Sequence, residues 1–529
     1  MKKKHVWMAI ALSAAMMLAG CGSAASSQAV TSSSQTSSGS SSATASTASG
    51  ASAAASADTL RAILASEPNN LDPHNNTRLT AWAVQEEIFD KLVTKDESGN
   101  ILPDVATKWE QINDTTWRFY LRQDVKFHDG SKLTAADVAF SLKRACEMSG
   151  SKTFFVQFDA DKIAAVDDYT VDVVTKQAFA PVLNYLATAR GAILCKAAVE
   201  SMGDEAYGRA PVGSGPFKIT SWNTGESIVL TRNEDYWGTK PSYTTLQFRF
   251  VTEASNRAIE LETGGADIIY NVAANDAVRL ASASGVKVVS GPAYTFVYVS
   301  MNMRDPVLQN EKLREALTYA TDIPALVDAL YGDSAKVADS YMSTSVAMHA
   351  SMPAKTFDLD KAKQLMAEAG YANGLTLTIK LAEDRTFASM AEILQSMWGE
   401  IGVTVDIQSM EQATYLDQAN SGQVQIGMAS TNAVSGDPDN GLFIWRSTAV
   451  NAIQPNDTKI DAYLDKGSST FDTAQRAAVY KEVQQYLWDK DYGIPLCFPN
   501  VTYGISSKVS GFVCSPGNIP DLALVTISK

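Results

Sequence analysis

Residues 375–407 constrain the fold more than any other part of the sequence. Residues 375–381 alternate between apolar and polar side chains, which is the pattern of a half-buried strand. Residues 387–400 then have the spacing of an amphipathic helix, and residues 403–407 form a second apolar, β-branched run. A strand, a helix and a strand in this order imply parallel pairing with a right-handed crossover. The sequence therefore predicts an α/β fold.

Other segments repeat this alternation of elements. Residues 117–122 read as a strand, and Thr134 with Asp137 predicts a capping box that begins a helix. A last helix over 473–489 would begin at Asp472. Further elements are predicted as helices over 256–262, 312–319 and 324–331, a helix that Gly370 ends, and a strand over 267–270. With 529 residues and no repeat of 20–50 residues, we expect about three cores rather than a solenoid or propeller.

The first 57 residues predict export and attachment rather than a folded domain. Three lysines precede an apolar run, and Leu18-Ala19-Gly20-Cys21 follows it, which indicates a signal peptide over residues 1–20. The last four residues resemble the lipobox of bacterial lipoproteins, in which the cysteine, here Cys21, is acylated. Residues 22–57 contain no charge and no aromatic residue, which is typical of a flexible linker. We therefore expect a lipid anchor at Cys21, a tether over 21–57 and a folded body from Asp58.

Charge and motif content exclude several functions. The formal net charge of −14 makes nucleic acid an unlikely partner, because phosphate binding needs a basic surface. No stretch after residue 20 is apolar enough to span a membrane, so we expect a soluble body. After the linker there is no nucleophile elbow, phosphate loop, His-Glu-x-x-His or Cys-x-x-Cys motif. The sequence predicts neither an enzyme nor a resident metal or cofactor, although a surface-anchored hydrolase is one alternative.

The body resembles the extracytoplasmic solute-binding proteins of the peptide, oligopeptide and nickel class, which feed ABC importers. The resemblance runs in the family's order from Asp58 to the end of the chain. The segments that carry it are Asn70-Leu71-Asp72-Pro73-His74, residues 117–138, residues 211–217, residues 232–237, Arg314-Glu315-Ala316-Leu317 and Gly436-Asp437-Pro438-Asp439.

The resemblance implies a two-lobed, periplasmic-binding-protein-like (type II) fold with an extra subdomain in the first lobe. Lobe I would comprise residues 58–292 and 498–529, with the inserted subdomain over about 91–210, and lobe II residues 293–497. The two crossings would form a hinge that closes on one ligand. The expected protein is a monomer on the extracytoplasmic face of the cell membrane that delivers its ligand to an ABC permease and its ATPase subunits.

The resemblance also indicates a ligand class and candidate binding residues. A peptide or peptide-like solute is the expected ligand, with a sugar, an opine, a nickel chelate or a peptide signal as alternatives. Relatives that bind dipeptides or oligopeptides usually hold the ligand's ammonium with an Asp, and Val434 stands in that place here. Asp437 would then supply the carboxylate, unless it only begins a turn before Pro438. The other candidates are Asn432 in the same loop, Arg385, Trp445 and His74, and Trp82 and Trp222 are further candidates for stacking.

Four cysteines remain after Cys21. Cys497 and Cys514 flank a predicted strand–turn–strand, so a disulfide between them is geometrically conceivable in an exported protein. Buried free thiols are the alternative.

Overall fold

The computed structural model describes residues 58–528. The predicted signal peptide, the predicted acylation site Cys21 and the predicted tether over 21–57 lie outside these residues. Within the described range, no helix combines the length and the apolar character that crossing a bilayer requires.

The described chain alternates strands and helices throughout. The strands are β1 Thr59–Leu64, β2 Val93–Lys95, β3 Ile101–Pro103, β4 Ala106–Asn113, β5 Thr116–Leu121, β6 Ala164–Asp167, β7 Thr170–Val174, β8 Phe217–Asn223, β9 Ser227–Arg232, β10 Thr245–Phe250, β11 Ile268–Ile269, β12 Val286–Pro292, β13 Thr295–Met301, β14 Ala335–Val337, β15 Leu375–Ala382, β16 Val403–Met410, β17 Ile426–Asn432, β18 Gly493–Ser506, β19 Val509–Ser510 and β20 Thr526–Ile527. The α-helices are α1 Leu79–Gln85, α2 Ala135–Glu147, α3 Val182–Leu186, α4 Lys196–Met202, α5 Asp204–Arg209, α6 Ala254–Glu262, α7 Ala274–Ala281, α8 Glu311–Tyr319, α9 Ile323–Tyr331, α10 Leu359–Glu368, α11 Arg385–Gly399, α12 Gln412–Asn420, α13 Pro438–Leu442, α14 Thr458–Ser469 and α15 Thr473–Lys490, with short 3-10 turns at Ala189–Gly191, Gly332–Ser334 and Phe443–Trp445.

The predicted strand–helix–strand unit is present. β15 and β16 are parallel, with Leu375 opposite Val403, and α11 connects them. The helix packs on the sheet through Met390, Leu394 and Trp398, which are buried. The apolar face that the sequence shows at helical spacing is therefore the face that forms the core, and the α/β prediction is confirmed.

The capping box before α2 is also confirmed. The Asp137 carboxylate accepts hydrogen bonds from the Thr134 backbone N–H and hydroxyl, at 3.0 and 2.9 Å. At the other end of the body, Asp472 accepts from the Gln475 backbone N–H at 2.8 Å and begins α15. Both carboxylates satisfy helix N–H groups that have no partner inside the helix. The other predicted helices are present, while the predicted strand over 267–270 is shorter, because only Ile268–Ile269 pair as β11.

One long sheet runs through the body. Its strands follow the order β16-β15-β17-β13-β18-β11-β1-β10-β9-β8, and β12 and β14 also pair with β18. The first half of β18 pairs with β13 and β14, and its second half pairs with β12 and β11. A separate four-stranded sheet has the order β4-β5-β7-β6. β18 is thus the strand that joins the two halves of the large sheet.

The two largest hydrophobic clusters divide along β18. The first core contains buried residues between positions 60 and 270 and between 503 and 525. The second core contains buried residues between positions 296 and 498. The conceivable Cys497–Cys514 disulfide is not formed, and the alternative of free thiols holds for the four cysteines of the described part of the chain, of which Cys195 and Cys497 are buried.

Candidate functional site

A cavity of about 360 Å³ lies where residues 77–190 meet residues 432–446. Its walls therefore come from the side of the first core and from the side of the second core. A neighbouring cavity of about 450 Å³ shares Trp82, Arg190 and Val434 with it. A third, of about 310 Å³, shares Leu79 and Asn432 with the first cavity and extends along β18. Together these spaces form one cleft between the two cores, and we call it the interlobe cleft.

Arg190 is a cationic group that lines two of these cavities. Its guanidinium lies 4.6 Å from the ring centre of Trp82 and 4.8 Å from that of Phe154. Its Nε donates to the Gly150 carbonyl at 3.1 Å, and this is its only hydrogen bond to the described residues. Burial lowers the pKa of Arg190 to about 10. Both terminal nitrogens are therefore available for a ligand in a partly desolvated place.

Two buried arginines, Arg257 and Arg314, use all three of their guanidinium nitrogens in hydrogen bonds within the described chain. Arg257 donates to four backbone carbonyls, and Arg314 donates to carbonyls of residues 308, 309, 490 and 491. These side chains hold the backbone together. Arg190, by contrast, makes one hydrogen bond and no ion pair among residues 58–528.

Asp439 is the carboxylate that faces the same cavity. Its Oδ2 accepts a hydrogen bond from the Tyr185 hydroxyl at 2.7 Å, and Arg446 lies 3.8 Å from its Oδ1. Burial, with the charge of Asp437 as a smaller cause, raises the pKa of Asp439 to about 6. The carboxylate is thus on the cavity wall and only partly neutralised by its neighbours.

Asp437 is occupied by other protein groups. It is fully buried, and its two oxygens accept from the Arg476 guanidinium at 2.7 and 2.9 Å. The same carboxylate accepts from Asn184 Nδ2 at 2.9 Å and caps α13 through the Asp439 N–H at 2.9 Å. It is not among the residues that line the cleft. The alternative was that Asp437 only begins a turn before Pro438; in the structure it caps α13 there and also forms an ion pair with Arg476 that the sequence did not indicate.

Three other candidates lie away from the cleft. Trp445 is fully buried in the second core, against Tyr341, because its indole fills the space under β13. Arg385 is exposed at the first turn of α11. His74 is buried beside Asp72 and Arg144, and burial lowers its pKa to about 4, so its ring is neutral. Trp445 packs in the second core, Arg385 faces solvent, and His74 is buried in the 70–74 loop. None of the three lines the cleft.

Asn432 and Val434 do line the cleft. Asn432 lies at the end of β17, and its Oδ1 is buried without a hydrogen-bond partner in the described structure. Val434 presents an apolar side chain to two of the cavities. A ligand role for Asn432 stays a prediction. The cavity wall at Val434 offers no charge to an ammonium.

The sequence reasoning missed Arg190 and Lys95, and it named Trp82 only as one of several tryptophans. Lys95, at the end of β2, lines the 450 Å³ cavity and donates to the Ser435 carbonyl. Trp82 lies on α1 and separates the two larger cavities. Trp222, the other tryptophan proposed for stacking, instead donates to Glu67 at 2.6 Å, outside the cleft. Nothing in the local sequence marks Arg190 or Lys95, because only the folded structure shows that each makes a single hydrogen bond, to a backbone carbonyl, within the described chain.

Comparison with known proteins agrees with this geometry. The model of bacterial extracellular solute-binding proteins, family 5, middle region, matches residues 100–452. The glutathione-binding protein GsiB of Escherichia coli K12 is 27% identical over 468 residues, which cover 86% of this chain and 91% of GsiB.

Two solved structures have the same fold. HbpA2 from Haemophilus parasuis has a TM-score of 0.80 and 26% identity, and the match covers 89% of this chain and all of HbpA2. The ABC transporter-associated periplasmic binding protein DppA from Helicobacter pylori, in complex with the peptide STSA, has a TM-score of 0.78 and 25% identity over 89% of this chain and 98% of DppA. Because the relatives are solute-binding proteins, the expectation that the chain is not an enzyme is confirmed. With more than half of its length matched, the chain belongs to family 5 of the bacterial extracellular solute-binding proteins, the two-lobed type II binding proteins of ABC importers.

Proposed function

We propose that this chain is the lipid-anchored substrate-binding component of an ABC importer and that it captures a small peptide or peptide-like solute in the interlobe cleft. The observation that carries the ligand class is Arg190, a partly desolvated guanidinium without an acid partner in the described chain. Guanidinium groups bind carboxylates through two parallel hydrogen bonds. A peptide supplies such a group at its C-terminus, and the relatives GsiB and DppA are described as binding glutathione and the peptide STSA.

The amino end of the ligand pairs with Asp439 in this proposal. Asp437 is already paired with Arg476, and an ion pair with an incoming ammonium would have to displace that guanidinium. Asp439 lines the cavity and has only a tyrosine hydroxyl at hydrogen-bond distance among side chains. The unpartnered Oδ1 of Asn432 is a second acceptor for the same end of the ligand. Two acceptors on lobe II and one cation on lobe I would hold a zwitterion across the cleft.

Closure would occur about the two chain crossings. We place lobe I at residues 58–292 and 498–529, with the subdomain over about 91–210, and lobe II at 293–497. The support is that β12 and β13 pair with opposite halves of β18. Contacts between the proposed lobes, such as Ala180 N–H to the Ser468 carbonyl at 2.7 Å, suit a closed conformation.

Membrane attachment through Cys21 belongs to the same proposal. Its support is the lipobox-like end of the signal peptide and the uncharged tract over 22–57. A monomer tethered in this way on the extracytoplasmic face can reach the permease and its ATPase without a membrane-spanning helix of its own.

Titration calorimetry with trialanine and trialanine amide tests the ligand assignment. The wild-type protein should bind trialanine and should bind trialanine amide much more weakly. Arg190→Gln should weaken trialanine binding by about 2–5 kcal/mol, or roughly thirtyfold to several-thousandfold, because a buried charge-assisted pair is lost. Arg209→Gln is the matched control, since Arg209 also stacks on a tryptophan, Trp222, but outside the cleft. Equal binding of acid and amide by wild type would overturn the assignment.

A further inference from the structure

Lys95 is a second cation of the interlobe cleft whose charge no protein group balances directly. Its ammonium donates to the Ser435 backbone carbonyl, which is its one hydrogen bond within the described chain. The acid that acts on it most is Asp437, whose carboxylate Arg476 already holds in two hydrogen bonds. Burial lowers the pKa of Lys95 to about 8, so the group is charged at neutral pH but poorly solvated. An ammonium has three N–H donors, and two of them are free here.

The acids that line the same cavity have other partners or face solvent. Glu86 accepts from Lys91 Nζ at 2.5 Å, and Asp96 accepts from Asn100 and its neighbours. Asp521 accepts from the Ala523 N–H at 2.9 Å. Glu97 is exposed at the turn after β2. None of these carboxylates forms an ion pair with Lys95 or Arg190 within residues 58–528.

Lys95 and Arg190 line one continuous space. Both belong to the wall of the 450 Å³ cavity, and Arg190 also reaches the 360 Å³ cavity across Trp82. A single carboxylate on Arg190 would leave the ammonium of Lys95 buried by the bound ligand without a counter-charge, which is costly. A ligand with two anionic groups avoids this cost.

We infer that Lys95 and Arg190 receive two separate anionic groups of one ligand, so that the substrate class is a small peptide with a side-chain carboxylate in addition to its C-terminal one. The inference rests on the proposed function, because Arg190 must hold the C-terminal carboxylate. In this arrangement Asp439 faces the amine of the ligand. Arg190, Lys95 and Asp439 then each pair with a ligand group of opposite charge.

Matched tripeptides test this assignment. The full chain is titrated with Glu-Ala-Ala, Ala-Glu-Ala and Ala-Ala-Glu and with the three corresponding Gln peptides, which have the same shape without the side-chain charge. At least one Glu peptide should bind about tenfold or more tighter than its Gln counterpart, as expected for a charge-assisted bond in a partly buried place. Lys95→Gln keeps a donor for Ser435 and removes the charge. Lys95→Gln should reduce the preference for the Glu peptide over its Gln counterpart to within about twofold. Its affinity for the Gln peptides should stay within about threefold of the wild-type affinity.

The control and the contrary outcomes separate the possible roles of Lys95. Lys363→Gln removes one charge from the exposed face of α10 and should leave the preference unchanged. Equal losses for Glu and Gln peptides in Lys95→Gln would make Lys95 a contact for lobe closure and overturn the inference. Equal affinities of the wild-type protein for the Glu and the Gln peptides would also overturn the inference. If wild type binds neither set nor trialanine, the proposed function itself fails.

Discussion

Replacing Asp437 by Asn should destabilise the fold rather than remove a ligand contact. The carboxylate is fully buried and holds Arg476 in two hydrogen bonds of 2.7 and 2.9 Å. Asn caps a helix about as well as Asp, so the cap of α13 remains and the change removes the ion pair with Arg476 together with the hydrogen bond from Asn184. Removing one partner of a buried pair leaves the other charge uncompensated and costs about 3–5 kcal/mol.

The size of the thermal shift depends on which unit unfolds. A loss of about 4 kcal/mol lowers the melting temperature by about 4 °C if the whole body unfolds together, and by about 10 °C if residues 293–497 unfold alone. Differential scanning calorimetry of Asp437→Asn without ligand measures this shift. Asp358→Asn is the matched control, because Asp358 caps α10 at the surface, accepting from the Lys361 N–H at 2.9 Å, and it has no ion pair in the described structure. Its melting temperature should stay within about 1 °C of wild type.

The result that contradicts this account is specific. An unchanged melting temperature, combined with a hundredfold or greater loss of affinity for trialanine, would mean that Asp437 holds the ligand's ammonium. The stability defect should also be partly relieved in the double variant Asp437→Asn/Arg476→Gln, since that variant no longer buries an unpaired guanidinium. An additive double variant would show that the two residues do not act as a pair.

Three further outcomes are expected. Burial raises the pKa of Asp521 to about 6, so the folded state binds a proton more tightly than the unfolded chain and stability falls as pH rises from about 4 through 6. The free energy of unfolding of Asp521→Asn, measured in urea, should therefore increase relative to that of wild type by up to about 3 kcal/mol between pH 4 and 7. A difference that stays constant over this pH range would contradict the raised pKa of Asp521. Cys21→Ala should release the protein from the membrane fraction with its fold intact, and wild-type retention on immunoblots would exclude the anchor. A chain that starts at Asp58 should keep the melting temperature and ligand affinity of the longer form, and a decrease of more than about 4 °C would show that the tether packs on the body.

The secondary structure was predictable where local rules decide it. The unit of β15, α11 and β16 follows from periodicity alone, and the caps at Thr134 and Asp472 follow from side chains that satisfy free helix N–H groups. β18 was not predictable as a strand that pairs with both halves of the sheet, because its partners lie up to 237 residues away, as for Ile268 opposite Ile505. Pairing over such distances leaves no local signature.

The binding residues were less predictable because the same residue type has different uses. Trp445 and Trp82 are both tryptophans on or near short helices, yet one fills the second core and the other faces the cleft. Arg190 is half-buried and Arg314 is buried, yet backbone carbonyls surround only Arg314. Whether a charge is left for a ligand depends on what the rest of the chain places around it. That arrangement is a property of tertiary structure.

In the proposed function, the loop over 432–439 would join ligand recognition to lobe closure. Asp439 faces the cavity while it accepts from the Tyr185 hydroxyl across the cleft, and Asp437 accepts from Asn184, the neighbour of Tyr185 on α3. A ligand ammonium at Asp439 would therefore act on a side chain that already bridges the two sides. A ligand can shift an opening equilibrium only by its difference in affinity for the two states. Because Arg190 and Asp439 lie on opposite walls, a ligand that contacts both, as proposed, would bind the closed state more tightly, and this difference would drive closure.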